Sequence, residues 1–249
     1  MISSQYIRQI SLRRDAIDDF NRYPFSLPAV RHLHTIKLHP KVTYFVGENG
    51  SGKSTLLEAI AVSMGFNPEG GTRNFNFSTR SSHSQLSDYL RVAKGLRSRD
   101  GFFLRAESFF NLATNIEDLD NAGGLGPPII SHYGNRSLHE QSHGESFMAL
   151  MMHRFSGDSL FLLDEPEAAL SPQRQLAAMA RMHQLIKQNS QFIIATHSPI
   201  LMAYPDALIY QFGSDGVTLV DYESTEHFKI TRDFLSNPKR MLDVLFEDE

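Results

Sequence analysis

Two hydrophobic patterns alternate along the chain. The first is the short apolar run closed by polar residues: Val42 to Val46, Gly101 to Ala106, Leu160 to Leu163 and Phe192 to Ala195. Runs of that length, bounded by turn and polar residues, predict buried strands. The second is helical spacing. Leu56, Leu57, Ile60, Ala61 and Met64 share one face; so do Phe147, Leu150, Met151 and Phe155, and Leu176, Met179, Leu185 and Ile186. Tyr6 to Leu12 alternates apolar and polar and predicts a strand, with a second around Leu33, Ile36 and Leu38. Ala207–Phe212 and Val217–Tyr222 flank Gly213-Ser214-Asp215-Gly216 and predict a hairpin.

The remaining stretches are less regular. Phe20 to Val30 carries two prolines among aromatics and predicts an irregular packed segment, in which core packing is the first reading of Tyr23 and Phe25 and stacking of one of them on a base the second. Asn67 to Ser82 predicts a loop, Gln85 to Leu96 a short helix, Ser108 to Leu119 a helix and Asn121 to Pro128 a linker. Pro238 to Phe246 predicts a final helix. Strands alternating with helices imply an α/β fold, a parallel sheet covered by helices on both sides. Ligands of such sheets sit at the carboxyl ends of the strands. The polar residues that follow Val46, Leu163 and Ile194 are therefore expected to converge.

The stretch after Val46 carries the most specific chemistry. Gly47-Glu48-Asn49-Gly50-Ser51-Gly52-Lys53-Ser54-Thr55 lies between a strand and a helix and fits G-x-x-x-x-G-K-[ST], the phosphate-binding P-loop. A polyphosphate needs several N–H donors converging on one point, and glycines let backbone amides turn inward. The helix that follows adds orphan N–H groups and the positive end of its dipole. Lys53 is placed to reach the β- and γ-phosphates, and the Ser54 hydroxyl to ligate Mg²⁺.

Two further strand ends supply the rest of a phosphoryl-transfer site. Asp164 and Glu165 follow an apolar run, and neighbouring residues of a strand face opposite ways. One carboxylate can then complete a Mg²⁺ shell while the other acts as general base on water. His197 ends its own apolar strand, where it can hydrogen-bond the γ-phosphate or the attacking water. Ser142-His143-Gly144-Glu145 has the Ser-x-x-Glu pattern of a capping box, and a capped helix start with a glycine is also an anion site.

Composition removes other readings. The 249 residues hold no cysteine, which excludes disulfides, thiolate catalysis and a cysteine zinc site. A net charge of −4 supplies no global basic footprint. Arg91, Lys94, Arg97 and Arg99 form one local basic cluster, read as a solvated helix face ahead of a nucleic-acid or partner contact. No stretch approaches the roughly 18 apolar residues of a membrane span, so a cytoplasmic protein is expected, with any membrane role assigned to another chain.

At this point the chain resembles the ABC-type ATPases. Gly47–Thr55 resembles their Walker A motif and Leu160–Glu165 their Walker B strand with its glutamate; Pro166–Ser171 looks like the D-loop and Ala195–Ser198 like the switch-histidine loop. Ser142–Ser146 is similar to the signature motif, with His143 in place of the first glycine and Glu145 in place of the glutamine. Glu107 stands where the family has its Q-loop glutamine, as a water or Mg²⁺ contact. The closest match is to stand-alone AAA-family ATPases related to the chromosome-maintenance and recombination ATPases. No heptads separate Thr55 from Ser142, so a long coiled-coil arm has no place there.

The resemblance implies a three-layer P-loop NTPase sandwich, its sheet mostly parallel, with an N-terminal antiparallel β part and a small helical lobe. It implies one domain over residues 1–249, with a core lobe at about 1–66 and 156–249 and a helical, signature-bearing lobe at about 67–155. It implies ATP and Mg²⁺ as ligands and a head-to-tail homodimer, in which Ser142, His143, Gly144 and Glu145 of one subunit meet the nucleotide of the other. The expected activity is ATP hydrolysis driving a dimerisation switch. The energy subunit of a membrane transporter and a nucleic-acid-associated repair or defence ATPase, acting with an unidentified partner, are the alternative settings.

Overall fold

A computed structural model describes residues 5–73, 84–105, 114, 120, 128, 130, 131 and 142–246. Its largest element is a six-stranded sheet ordered β5-β6-β7-β3-β8-β9, made of β3 (Val42–Gly47), β5 (Asp100–Arg105), β6 (Ser159–Asp164), β7 (Gln191–Ala195), β8 (Leu208–Gly213) and β9 (Gly216–Val220). The first five of these strands run parallel, and β9 returns antiparallel on β8 through the expected hairpin. A second, antiparallel sheet is ordered β2-β1-β4, from β1 (Ile7–Leu12), β2 (Thr35–Lys37) and β4 (Leu90–Lys94).

Both faces of the large sheet are buried, which explains why its strands read as continuous apolar runs. Alternate side chains supply two separate cores. Phe45, Phe103, Leu160, Leu162, Ile193 and Phe212 join α2 (Lys53–Ser63) and the small sheet on one side. Tyr44, Val46, Phe102, Phe161, Leu163 and Phe192 join α4 (His143–Ala149) and α5 (Pro172–Lys187) on the other. The result is a three-layer sandwich with a mostly parallel sheet. On the second face the rings of Phe155, Phe161 and Phe192 stack at 4.2 and 4.8 Å between centroids.

Gln191 joins the two sheets. Its carbonyl oxygen accepts from the backbone of Tyr6 and Ile7, each at 3.0 Å, and its amide donates to the carbonyls of Ile7 and His39. A buried amide with four partners is fully satisfied, so its hydrogen bonds offset the cost of taking it out of water.

Three expectations change. Gln85 to Leu96 is not one helix: α3 (Leu86–Tyr89) is a single turn, and the chain then extends as β4 against β1. Leu86, Leu90 and Val92 suit either period, and pairing with β1 decides between them. The basic cluster therefore lies on and beyond an edge strand, with Arg91, Lys94, Arg97 and Arg99 all exposed, where charge opposes edge-to-edge association. On α5 the buried stripe is Gln175, Ala178, Met182 and Leu185, and Leu176 is exposed. The helix is rotated because the Gln175 amide bonds Leu170 and its carbonyl oxygen accepts from Ser198.

Two short helices, α1 (Pro28–Arg31) and α6 (Pro199–Met202), complete the body. After β9 come α7 (Glu226–Ser236) and the expected final helix α8 (Pro238–Phe246). The expected helix at Ser108–Leu119, most of the linker and Glu107 lie outside the described residues. β4 and β5, inside the span 67–155, belong to the two sheets.

Candidate functional site

The expected convergence is present. In the large sheet β6, β7 and β3 are neighbours and parallel, so Asp164, the residues after Ala195 and Gly47 emerge on one edge. The P-loop glycines 47, 50 and 52 take φ of 141°, 78° and 98°. Gly47 is constrained twice over, because a Cβ there would also run into the carbonyl oxygen of Phe212 on β8. Gly52 caps α2, and the helix starts on Lys53.

Lys53 is almost wholly buried and donates to the carbonyls of Gly47 and Glu48 at 2.8 and 2.9 Å. Burial lowers its pKa, and Glu165, Asp164, Glu48 and Glu167 act the other way. The Ser54 hydroxyl donates to Asp164 Oδ1 at 2.9 Å. Asn49, Gly50, Gly52, Lys53, Ser54, Thr55 and Glu165 border a cavity of about 270 Å³ with Tyr23 and Leu27 at its rim. Tyr23 is 61% exposed, whereas Phe25 is buried edge-on against Tyr89. Only Tyr23 of the two lines the nucleotide-side cavity.

Glu165 follows the end of β6 in the left-handed region, φ 49°, its backbone N–H bonded to the Ala195 carbonyl. His197 Nε2 lies 3.5 Å from Glu165 Oε1. Its Nδ1 lies 3.0 Å from Nε2 of His227, near the start of α7. Burial lowers the pKa of both imidazoles; Lys53 adds to this at His197. The His197 backbone N–H donates to Glu167 Oε1 at 2.5 Å. Burial raises the Glu167 pKa against that bond and one from Thr196.

Ser142 caps α4 with both halves of the capping box: its hydroxyl accepts from Glu145 N, and the Glu145 carboxylate accepts from Ser142 N. Arg174 on α5 reaches Ser142 Oγ at 3.4 Å and Glu145 at 3.6 Å. Gly144 packs so close that a Cβ would stand 2.6 Å from the Ala169 carbonyl oxygen. Ser142, His143 and Gly144 line a second cavity of about 500 Å³ with Glu165, Ala168 and Arg174. Ser142, His143 and Gly144 do not border the P-loop cavity, so one chain does not bring this turn to its own P-loop, whereas Glu165 lines both spaces.

Three residues escaped the sequence reading. Glu167 had a visible signal, the second acid of Glu165-Pro166-Glu167, but no stated role. Arg174 sits one turn into α5 like any solvated arginine. His227 follows a stretch without a pattern of its own.

An AAA domain family profile matches residues 17–123. A second, described as "AAA domain, putative AbiEii toxin, Type IV TA system", matches residues 129–203. A Haemophilus influenzae protein named an ABC transporter ATP-binding protein is 26% identical over 208 residues, 78% of this chain and 75% of that one. ABC transporter G family member STR2 of Medicago truncatula is 26% identical over 171 residues, 64% of this chain; the match spans only 24% of that longer protein. Among solved structures, cbiO1 from Clostridium perfringens has a TM-score of 0.46 at 17% identity, over 97% of this chain and 99% of that one. The SMC head domain from Thermotoga maritima has 0.43 at 16%, over 87% and 98%. The fold assignment rests on strand order and loop geometry, not on these last two likenesses. Motifs, their order and these sequence relatives support an ABC-type P-loop ATPase that binds and hydrolyses ATP.

Proposed function

We propose that hydrolysis is Mg²⁺-dependent and occurs between two copies of the chain, with Glu165 as general base. The observation that carries this reading is the meeting of two pairs beside Lys53: Ser54 Oγ with Asp164 Oδ1 at 2.9 Å, and His197 Nε2 with Glu165 Oε1 at 3.5 Å.

The donor set suits the metal. Ser54 and Asp164 offer two hard oxygens, and Mg²⁺ ordinarily takes one or two protein oxygens, with phosphate and water completing its octahedron. Bound there, Mg²⁺ would neutralise charge on the β- and γ-phosphates. Glu107, two residues after Arg105 in the sequence, is the further candidate oxygen ligand.

The residues of the chain do the rest. Amides of Gly47 to Thr55 surround the phosphates, and Lys53 exchanges its two carbonyl partners for phosphate oxygens. Tyr23 stacks on the adenine from the cavity rim. Glu165 takes a proton from water as its oxygen attacks the γ-phosphorus and the bond to the β–γ bridging oxygen breaks, releasing ADP and phosphate. His197 holds the γ-phosphate or that water. Ser142, His143, Gly144 and Glu145 meet the γ-phosphate of a partner copy, since in their own chain they open onto the other side of Glu165. The chain divides into a core lobe at about 1–66 and 156–249 and a signature-bearing lobe at about 67–155, whose β4 and β5 pair into the two sheets.

Glu165→Gln tests the reading. Turnover is expected to fall by roughly 100-fold or more, as for loss of a positioned general base, while ATP binding persists and sizing shows an ATP-dependent doubling of mass. Normal turnover by this variant overturns the assignment. The setting follows the named Haemophilus influenzae relative: among the described residues no helix is long and apolar enough to cross a membrane, so an energy-subunit role would need a separate membrane chain. Such a chain would co-purify from detergent. The exposed Arg91–Arg99 edge is the observation behind the nucleic-acid setting. It would bind nucleic acid more weakly at 200 mM than at 50 mM salt, by a large factor on the order of 10³ if several phosphates are contacted.

A further inference from the structure

We infer that His227 is a positioning residue that sets the ring tautomer of His197, donating its Nε2–H to His197 Nδ1 so that the proton on His197 sits at Nε2, facing Glu165 and the nucleotide.

The geometry leaves two arrangements. His197 Nδ1 and His227 Nε2 are 3.0 Å apart, so one proton lies between them. If His197 donated it, the neutral ring would turn a lone pair at Nε2 toward the Glu165 carboxylate 3.5 Å away, and toward any phosphate oxygen. If His227 donates it, His197 presents an N–H to both. A donor facing an anion is favoured over a lone pair facing one. Neither the buried Nδ1 of His227 nor His197 Nε2 has a hydrogen-bond partner, the 3.5 Å approach of the latter to Glu165 being electrostatic. The His227 atom is unpartnered in either case and does not discriminate. Burial lowers both pKa values, which favours the neutral form of each ring. The dipole at the start of α7 also opposes a cation at His227.

His227 is held as a positioning residue must be. Thr225 is fully buried and caps α7, its hydroxyl accepting from Phe228 N and donating to the Tyr222 carbonyl. The Tyr222 hydroxyl in turn donates to the carbonyl of Pro199 at 2.9 Å, two residues beyond His197, and its ring packs on Phe228 at 4.6 Å. The start of α7 is thereby tied to the segment that carries His197. On the other side, Glu167 takes the His197 backbone N–H. Ring and backbone of His197 are thus fixed from two directions, and no other side chain meets its Nδ1 among the described residues.

The inference rests on the reading of His197 as the imidazole that faces the γ-phosphate. His227→Phe keeps a ring without the donor, and His227→Gln keeps an amide donor. Loss of a group that orients a functional imidazole lowers activity by roughly 10- to 100-fold in comparable sites. His227→Phe is expected to lose that much kcat with KM for ATP within about twofold, His227→Gln to recover most of it, and His197→Ala/His227→Phe to be no slower than His197→Ala. Nitrogen-15 NMR of the imidazoles reads the tautomer directly: the His197 proton on Nε2 in the unaltered protein, a mixture in His227→Phe. A proton on Nδ1 of His197, or unchanged kcat in His227→Phe, overturns the inference. Full turnover by His197→Ala overturns the reading of the site instead, and the NMR measurement on the unaltered protein stands whichever variants fold.

Discussion

The carboxyl edge of the parallel sheet and the C-terminal pair of helices meet at His197, yet they are built on opposite principles. The sheet edge grows out of two buried cores, and even its charged residues are drawn inward: Lys53 is 3% exposed and Asp164 8%. Helices α7 and α8 bury no residue at all, and Ile230, Leu235, Val244, Leu245 and Phe246 are each more than half exposed. One region has its geometry imposed by packing on every side. The other is tied down at a single end, through Thr225, Tyr222 and His227. Catalytic atoms need the first kind of support, because small displacements of reacting groups are expensive. A helix pair that touches the site at one point needs only a firm anchor.

The sharpest way to break the comparison is at the sheet edge. Lys53→Ala removes the buried ammonium at the start of α2, together with both of its carbonyl bonds. ATP binding, measured by calorimetry, is expected to weaken by roughly 10- to 150-fold or more, since each charge-assisted phosphate contact is worth about 1.5–3 kcal/mol. A variant that binds ATP with unaltered affinity would show that the cavity beside Tyr23 is not where the triphosphate lies.

That edge is also the part most legible in the sequence. Gly47–Thr55, Asp164, Glu165 and His197 were each readable because every one follows a short apolar run, bounded by turn and polar residues, that reads as a buried strand. Strand ends in a parallel sheet all point to one place. What was not legible depends on side-chain contacts between distant segments. β4 was mistaken for a helix because the spacing of Leu86, Tyr89, Leu90 and Val92 suits both periods, and the partner that decides, β1, lies far back in the chain. The face of α5 was misplaced because a hydrophobicity pattern cannot foresee that Gln175 is buried in order to hold Ser198. His227 carried no local signal, since its role exists only through a contact with a residue 30 positions away. Tyr23 and Phe25 were an undivided pair until burial separated them.

Behind the edge, the comparison can be sharpened in the core. Phe161 stacks between Phe155 and Phe192, and it is 2% exposed. Phe161→Ala would leave a void in the middle of that stack, and buried Phe→Ala changes cost about 3–5 kcal/mol. Denaturant unfolding should move to a lower midpoint with the slope retained. A loss below about 1 kcal/mol would mean that the stack relaxes and fills the space.

At the other extreme stands Leu235, 70% exposed on α7 with no buried neighbour on its own helix. Leu235→Ser removes apolar surface that already faces solvent in the single chain, so its expected effect is within about 0.5 kcal/mol. ATP turnover should be unaltered, because α7 reaches the site through His227 at its other end. The measurement is again the unfolding midpoint, taken at several protein concentrations. If the midpoint falls by more than about 1 kcal/mol, and falls further as the protein is diluted, the apolar face of α7 is covered by a second copy. The contrast drawn above would then hold for the isolated chain alone, since stability that comes from a partner depends on its concentration.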